Sequence, residues 1–245
     1  PHNLRCLVLA GPGNNGGDAC IVAGELKRQG LPIELIQITE GKPGSKDRMQ
    51  AVLWALAHGV QPMEMEVGAE LPLITPNTVV IDGLLGIACD RPPAGLIEIL
   101  INHVNESVSR INATTLHNQV RVYSLDCPSG LNCDTGTAPG AAIHAHTTFS
   151  YLACKHGLLT GHGKTLTGDL WIEGLNCEAL LHDLGTDRNT GQISRTLART
   201  DQLQRLPRLQ PMAGQHNMCP SHGCSARPFG EAVEALRATL RHGLG

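Results

Sequence analysis

The stretch that most constrains how this chain folds is residues 5–18, RCLVLAGPGNNGGD. The apolar run from Cys6 to Ala10 predicts a buried strand, and the glycine-rich segment after it predicts a tight turn. Asp18 then opens a helical pattern of apolar residues. The order strand, turn, helix is typical of an α/β fold.

The glycine-rich turn has the properties of a phosphate-binding loop. Gly11, Gly13 and Gly16 satisfy the spacing G-x-G-x-x-G. Glycines permit positive φ and a close approach of a ligand to the backbone, and the free N–H groups at a helix start attract anions. A dinucleotide-binding fold is therefore the first candidate.

Polar side chains between these glycines add a second chemistry. Asn14, Asn15 and Asp18 place two amides and a carboxylate in the loop. Amide and carboxylate oxygens are ligands for a hard cation. A carboxylate at a helix start also stabilises the helix as a cap, so for Asp18 alone both interpretations stay open.

Two further strands end in polar residues. The run Thr78–Ile81 is followed by Asp82, and Val120–Leu125 is followed by Asp126. Helical patterns separate the strands, which predicts a parallel sheet whose ligand-binding loops meet at the carboxyl ends of the strands. The three loops are therefore expected to converge at one edge.

Two other segments carry predictions for single side chains. Ser45 is expected to cap a second helix, and we expect its apolar stripe to be core: Met49, Val52, Leu53 and Leu56. Lys155 follows a later strand, where it could meet a phosphate as a point charge or lie solvated.

Composition excludes several classes of protein. With 41% hydrophobic and 17% charged residues, the 245-residue chain is globular rather than disordered. Only 2% of the residues are aromatic, the net charge is −3 and there is no basic run, which argues against a nucleic-acid partner. No apolar stretch is long enough to span a membrane, so we expect a soluble, cytoplasmic protein. Three cysteines within apolar runs are expected to be buried free thiols in a reducing compartment: Cys6, Cys20 and Cys154.

The strand periodicity stops near residue 186. We therefore predict one domain over 1–185 and a tail over 186–245, in which only 231–241 has a helical stripe.

The segments GPGNNGGD, IDGLLG, DCPSG and DTG, in this order, resemble the NAD(P)H-hydrate epimerase family. This family forms the N-terminal domain of the bifunctional NAD(P)H-hydrate repair protein, and the resemblance covers roughly residues 5–178. It implies a Rossmann-like three-layer α/β/α sandwich with a mostly parallel sheet, usually a homodimer. It also implies an isomerase that interconverts the R and S forms of hydrated NADH and NADPH, called NADHX and NADPHX.

The resemblance also implies which residues form the site. A potassium ion would be held by Asn15, Asp82 and Ser129. The hydrated nucleotide would contact residues from three loops: Asn14, Asn15, Gly16, Gly17, Asp18, Gly86, Ile87, Ala88, Cys89, Asp90, Arg91, Pro92 and Asp126.

The chemistry of the substrate gives Asp126 a predicted role. The hydroxyl group is on the carbon beside the ring nitrogen, so its inversion requires proton transfer. Asp126 is a suitable general acid/base if burial raises its pKa, and Asp82 would stay ionised beside the cation.

The chain departs from the family pattern at several positions. Where the family commonly has Gly-Thr-Gly, this chain has Gly86-Ile87-Ala88, and the added side chain would limit backbone approach to a phosphate. Three further residues differ from the usual ones, and they put turnover in doubt more than the fold: Ala19 for glycine, Gly83 for alanine and His146 for aspartate.

Two alternatives remain at this point. A scaffold of the same fold that binds nucleotide without turnover would fit the altered loop. An NAD-dependent dehydrogenase would require an acidic residue at the end of the second strand, and none occurs before Glu40. The tail resembles the approach to a dehydratase domain but becomes unfamiliar near Pro211, which favours a truncated or frame-shifted start of that domain.

Overall fold

Parallel strands alternate with helices along the chain, as the sequence predicts. The computed structural model describes residues 4–39, 41, 44–87, 89–115 and 117–173, together with the backbone of 209–211. The strands are β1 (Arg5–Ala10), β2 (Ile33–Gln37), β3 (Pro62–Glu64), β4 (Thr78–Gly83), β5 (Arg121–Leu125), β6 (Thr147–Tyr151), β7 (Asp169–Glu173) and β8 (Leu209–Pro211). The helices are α1 (Asn14–Arg28), α2 (Lys46–Ala57), α3 (Gly95–Thr114), α4 (His156–Leu159) and α5 (Gly163–Leu166).

The described strands form one all-parallel sheet in the order β3-β2-β1-β4-β5-β6-β7-β8. Successive residues of β1 point to opposite faces of the sheet. Cys6 and Val8 pack with the residues of α1 and α2, whereas Leu7 and Leu9 pack with those of α3. The predicted Rossmann-like three-layer α/β/α architecture is confirmed.

The strand order reverses between β1 and β4. The chain proceeds from β1 outward to β3, returns to β4 beside β1, and continues through β5 to the other side. In open α/β sheets the crevice at this reversal, at the carboxyl ends of the strands, is where ligands bind. The Asn-Asn-Gly-Gly-Asp loop and the loops after β4 and β5 all start there.

Helix α1 begins earlier than the sequence analysis predicts. It starts at Asn14, with Gly13 as its N-cap, so Asp18 lies in the second turn instead of at the helix start. The helix can begin this early because the first turn packs directly onto the preceding loop and has a glycine at the contact. A Cβ on Gly16 would lie 2.0 Å from the Gly11 carbonyl oxygen. Asp18 is therefore not a cap.

The expected core stripe of α2 is wrong. Met49, Leu53 and Leu56 are exposed, at 49%, 63% and 40% respectively, and Val52 is half-buried. The buried face of α2 consists instead of Arg48, Ala51 and Ala55. These residues oppose glycines of α1: a Cβ on Gly17 would lie 3.3 Å from Arg48 Cα. The two helices approach too closely for large apolar side chains to lie between them.

The cap of α2 does agree with its prediction. The Ser45 hydroxyl accepts a hydrogen bond from the Arg48 backbone N–H at 3.1 Å. This bond satisfies one of the free donors at the helix start.

The unusual residues Ala19 and Gly83 contact each other. A Cβ on Gly83 would lie 2.6 Å from the Ala19 Cβ and 3.0 Å from the Asn15 carbonyl oxygen. The family usually has glycine at 19 and alanine at 83. In this chain the one methyl group of the α1–β4 contact therefore belongs to α1 instead of β4. These two departures from the family pattern compensate each other in packing.

The cysteines follow the prediction with one exception. Cys6, Cys20 and Cys154 are buried free thiols, and burial raises the pKa of Cys6 to about 12. Cys127 and Cys133 instead form a disulfide, in which both residues are buried. The bond closes the loop that follows β5.

Within the described part of the chain, no helix has the length and apolar character that crossing a membrane requires. The predicted domain boundary at 185/186 and the predicted helix over 231–241 lie outside the described residues.

The Ala19 and Gly83 contact gives a double-mutant test. We expect Gly83→Ala to lower the free energy of unfolding by about 1–3 kcal/mol, because the new methyl group overlaps Ala19. We expect Ala19→Gly to cost about 1 kcal/mol, since glycine is a poor helix former. In the double variant Ala19→Gly/Gly83→Ala the loss should be smaller than the sum of the two, as measured by urea unfolding. Simple additivity would show that the methyl groups do not compete.

Candidate active site

The side-chain amide of Asn15 connects three loops at the carboxyl edge of the sheet. Its Nδ2 donates hydrogen bonds to the carbonyl oxygens of Leu85, at 2.7 Å, and Leu125, at 3.0 Å. One side chain of α1 thus joins the loops after β4 and β5. The convergence that the strand ends predict is confirmed.

Asp82 is a carboxylate with no exposed surface, and protein donors surround it. Oδ1 accepts hydrogen bonds from the Leu84 N–H at 3.2 Å and from the Ser129 hydroxyl. Oδ2 accepts from the Ser124 hydroxyl at 2.8 Å and from the Ser129 N–H at 2.9 Å. Burial raises the pKa of Asp82, and these four hydrogen bonds act in the opposite direction.

Two oxygens at the loops after β4 and β5 keep acceptor capacity that a monovalent cation could use. Asn15 Oδ1 is buried and accepts no hydrogen bond, although the other end of the same amide is fully used. The Ser129 hydroxyl accepts one hydrogen bond, from the Leu85 N–H at 2.8 Å, which leaves it a free lone pair. Among the described residues no Lys, Arg or His forms an ion pair with Asp82. A buried carboxyl group that no described cation pairs with, and an unused amide oxygen in contact with the same loops, are features that a cation would stabilise.

The three predicted ligands of the cation differ in how many oxygen lone pairs remain unused. Asn15 and Ser129 each have an unused oxygen lone pair. A carboxylate has about four acceptor positions, and all four of Asp82 receive protein donors. Direct coordination by Asp82 would therefore break one of these hydrogen bonds. Without coordination, the Asp82 carboxylate would still act on a cation through the Ser129 hydroxyl, which donates a hydrogen bond to it.

Asp126 begins the loop after β5 in a left-handed backbone conformation, with φ +64°. Such a conformation is costly for a non-glycine residue and is concentrated at functional sites. Its Oδ1 accepts a hydrogen bond from the Lys155 ammonium group, which also donates to the Ser150 hydroxyl at 2.9 Å and to the Tyr151 carbonyl at 2.8 Å. A Cβ on Gly86 would lie 3.7 Å from Asp126 Oδ2, so this second oxygen faces the loop after β4.

Asp18 is a carboxyl group of the site with a strongly raised pKa. Burial raises its pKa to about 7, and the nearby negative charge of Asp126 adds to the shift. A carboxyl group of this pKa exchanges protons at neutral pH, which is the property of a general acid or base. Sequence reasoning gave that property to Asp126, because a sequence does not show how deeply each side chain is buried.

Residues 1–157 match the family model described as YjeF-related protein N-terminus, which is about two thirds of the chain. The chain belongs to this family.

Curated relatives agree with this assignment. A bifunctional NAD(P)H-hydrate repair enzyme of Leishmania braziliensis is 32% identical over 197 residues, which are 80% of this chain and 32% of that protein. The corresponding enzyme Nnr of Escherichia coli is 35% identical over 184 residues, 74% of this chain and 32% of that protein. An NAD(P)H-hydrate epimerase of Weissella koreensis is 29% identical over 75% of this chain and 76% of that protein. The chain thus spans about a third of the bifunctional relatives.

The crystal structure of the yeast protein ynu0 has the same fold. It superposes with a TM-score of 0.57 over 78% of this chain and 76% of that one, at 20% identity. At this level of identity the likeness concerns the fold alone.

The remaining nucleotide contacts that the family resemblance predicts differ in exposure. The Asn14 amide oxygen accepts a hydrogen bond from the Ser45 hydroxyl at 2.9 Å, and Gly16 and Gly17 lie buried in the first turn of α1. In the loop after β4, Cys89 is buried and Ala88 lies outside the described residues, whereas four side chains are exposed: Ile87, Asp90, Arg91 and Pro92. These contacts remain predictions.

Two departures from the family pattern lie in different places. His146 directly precedes β6, at the amino edge of the sheet, and its Nδ1 accepts a hydrogen bond from the Val122 N–H at 3.1 Å. Burial lowers the pKa of His146 to about 4, so it is a neutral structural residue on the side away from the site. Ile87 is 54% exposed and is the departure that adjoins the site.

Two side chains that the family resemblance does not include are functional candidates in the structure. Lys155 was predicted either to bind a phosphate or to be solvated, and the structure pairs it with Asp126. Arg48 carries no site signal in the sequence, where it directly precedes the apolar stripe predicted for α2, yet its side chain donates a hydrogen bond to the Gly11 carbonyl oxygen.

A groove of about 890 Å³ lies at the opposite, amino edge of the sheet, lined by residues that include Arg5, Pro32 and Asn77. Its charged residue, Arg5, is paired with Glu34. It contains none of the loops that carry the family motifs, so we assign no role to it.

The raised pKa of Asp18 predicts how stability changes with pH. The folded chain keeps a proton on Asp18 up to about pH 7, whereas the unfolded chain loses it near 3.8. Wild-type stability should therefore fall as pH rises through this window. Asp18→Asn removes that penalty, and we expect its free energy of unfolding to exceed that of the wild type by at most about 4 kcal/mol at pH 8.

Urea unfolding between pH 5 and pH 8 checks this prediction. The advantage of Asp18→Asn should grow with pH and level off above pH 7. A difference that is constant over this range would show that Asp18 titrates normally.

Proposed function

We propose that this chain interconverts the R and S forms of NADHX and NADPHX. The observation that carries the proposal is the pair of carboxyl groups, Asp18 and Asp126, close enough to raise the pKa of Asp18, beside the glycine loop at the topological switch point. The names of the Escherichia coli and Weissella koreensis relatives supply the substrate.

The substrate chemistry requires one mobile proton. The hydroxyl group leaves its carbon as water once its oxygen is protonated, while the lone pair of the ring nitrogen forms a C=N bond. Water then adds to the opposite face and gives up a proton. One group must donate a proton and another must accept one, so a pair of carboxyl groups that holds a single proton is suited to both directions.

Asp18 and Asp126 divide these tasks in our proposal. Asp18 is protonated up to about pH 7 and supplies the proton to the departing hydroxyl. Asp126 is oriented by the Lys155 ammonium group through Oδ1, and Oδ2 accepts the proton of the entering water. The role predicted for Asp126 thereby becomes a shared one.

The glycine loop holds the phosphates of the nucleotide. Helix α1 has no side-chain cap on its N-terminal N–H groups, so these donors are available to an anion. The carboxyl pair lies in the next turn of the same helix and in the adjacent loop. Binding of the phosphates would place the hydrated ring near both carboxyl groups.

A potassium ion is part of the proposal. Asn15 Oδ1 and the Ser129 hydroxyl would bind it, with the charge of Asp82 behind them. When bound, the ion would supply the positive charge that the buried Asp82 lacks and would hold the loops after β4 and β5 in register with α1. We also propose, on the family resemblance, that the chain is a cytoplasmic homodimer.

The two alternatives differ in their support. Strand β2 ends at Gln37, whose amide donates a hydrogen bond to Cys20 Sγ at 3.2 Å. A dehydrogenase would have a carboxylate at this position to bind the ribose, and the described end of the strand has none. A scaffold without turnover is favoured by the exposed Ile87 in the loop after β4. The kinetic experiment decides between scaffold and enzyme.

The experiment follows the conversion of R-NADHX to S-NADHX by chromatography, with potassium titrated against sodium. We expect conversion that increases with potassium. Asp18→Asn and Asp126→Asn should each lower kcat/KM by about 100-fold or more, because each removes a proton-transfer group. The matched control is Asp169→Asn, the same substitution at an exposed residue that begins β7 at the far edge.

The wild-type rate should decline above about pH 7, because the pair then loses its single proton. Wild-type protein that converts nothing at any potassium concentration would support the scaffold. Full activity of Asp126→Asn or Asp18→Asn would remove that residue from the mechanism.

A further inference from the structure

Arg48 is a buried cation for which the described part of the chain offers no ion-pair partner. Only 5% of the residue is exposed, at the start of α2. The ion pairs of the described residues are Arg5–Glu34, Arg28–Glu25 and Lys155–Asp126, and Arg48 belongs to none of them. A buried, unpaired charge is strongly unfavourable, so its presence calls for a compensating role.

The guanidinium group points at the glycine loop. Its Nε donates a hydrogen bond to the Gly11 carbonyl oxygen at 3.1 Å. The group is a rigid planar fork in which Nε–H and one terminal N–H share an edge. Nη2 is buried and has no hydrogen-bond partner. The fork is thus half used, and its positive charge lies directly behind the loop that precedes α1.

Further contacts fix Arg48 in this position. The N–H of Arg48 is held by the Ser45 cap, and Ser45 in turn donates to the Asn14 amide oxygen at 2.9 Å. A Cβ on Gly44 would lie 2.8 Å from Arg48 Cδ, and a Cβ on Gly17 would lie 3.3 Å from its Cα. Glycines on both sides make room for the side chain.

We infer that Arg48 is a positioning residue for phosphate: its buried charge strengthens the binding of the nucleotide's phosphate groups to the glycine loop at the start of α1. The inference rests on the proposed function for the identity of the ligand, a nucleotide with a pyrophosphate. Because Nη2 is covered by protein atoms, the attraction acts through the low-dielectric interior and the loop backbone rather than by direct contact. In this inference the phosphate groups of the ligand supply the negative charge that Arg48 lacks among the described residues.

The test compares full-length Arg48→Met, Arg48→Gln and wild type. Binding of ADP, AMP and inorganic pyrophosphate is measured by calorimetry at low ionic strength. We expect Arg48→Met to weaken ADP binding by about 10-fold to 100-fold, and AMP, which carries less charge, by a smaller factor. Arg48→Gln can still donate to Gly11 but is neutral, so it should lose the same factor. Lys46→Met, which removes an exposed charge two residues away, should bind ADP within about twofold of the wild type.

Thermal unfolding without ligand separates this role from a purely structural one. Replacing an uncompensated buried charge by an apolar side chain of similar length should leave Tm unchanged or higher, whereas an Arg48 that merely braces the loop would lower it. Wild type should gain more stability from pyrophosphate than Arg48→Met does. If Arg48→Met does not fold, Arg48→Gln provides the same comparison.

Several results would overturn the inference. These are wild type that binds neither ADP nor pyrophosphate at millimolar concentration, an Arg48→Gln variant with wild-type ADP affinity, and equal losses in Arg48→Met and Lys46→Met. Because ADP binding needs no turnover, the result is independent of epimerase activity. A protein that binds ADP through Arg48 but converts no NADHX would refute only the proposed function.

Discussion

The structure depends on a carboxyl group at the centre of the sheet that has no solvent exposure and no ion-pair partner among the described residues. Asp82 ends β4, and its four hydrogen bonds tie the loop after β4 to the loop after β5. Asn15 joins the same two loops to α1 from the other side. The loops after β4 and β5 are therefore arranged around a buried carboxyl group and one unused amide oxygen. These features support the proposal that the site binds a cation.

Two buried ionisable residues near the switch point, Asp82 and Arg48, have side chains of opposite charge. Different ligands would neutralise them. Asp82 would be neutralised by a cation, and Arg48 by the phosphates that a helix N-terminus attracts. On the same helix as Asn15, Asp18 is kept protonated near neutral pH by burial and by Asp126. Each of these groups costs stability in the free protein, which is the usual relation between a preorganised site and the fold that carries it.

The sequence predicted the elements that have strong local signals. The strands β1, β4 and β5 and their polar ends follow from apolar runs followed by Asp or Gly, and the Ser45 cap follows from its position before a helix. The predictions that failed depend on contacts between distant residues. The face of α2 was misassigned because glycines of α1 let Arg48 and the small alanines pack inside, and no periodicity in α2 shows that. Asp18 was not singled out as a proton-exchanging group for a related reason, since its burial depends on the whole sheet edge. Ala19 and Gly83 are far apart in the sequence, and only their contact in the folded chain shows that the two departures compensate.

The central claim is that Asn15, Ser129 and the charge of Asp82 form a binding site for one monovalent cation. Crystals of the protein grown or soaked in rubidium, which substitutes for potassium and scatters anomalously, test it directly. We predict an anomalous peak next to Asn15 Oδ1 and the Ser129 hydroxyl, reduced in Ser129→Ala. An empty position there at high rubidium concentration, with Asn15 Oδ1 still without a partner, would contradict the account.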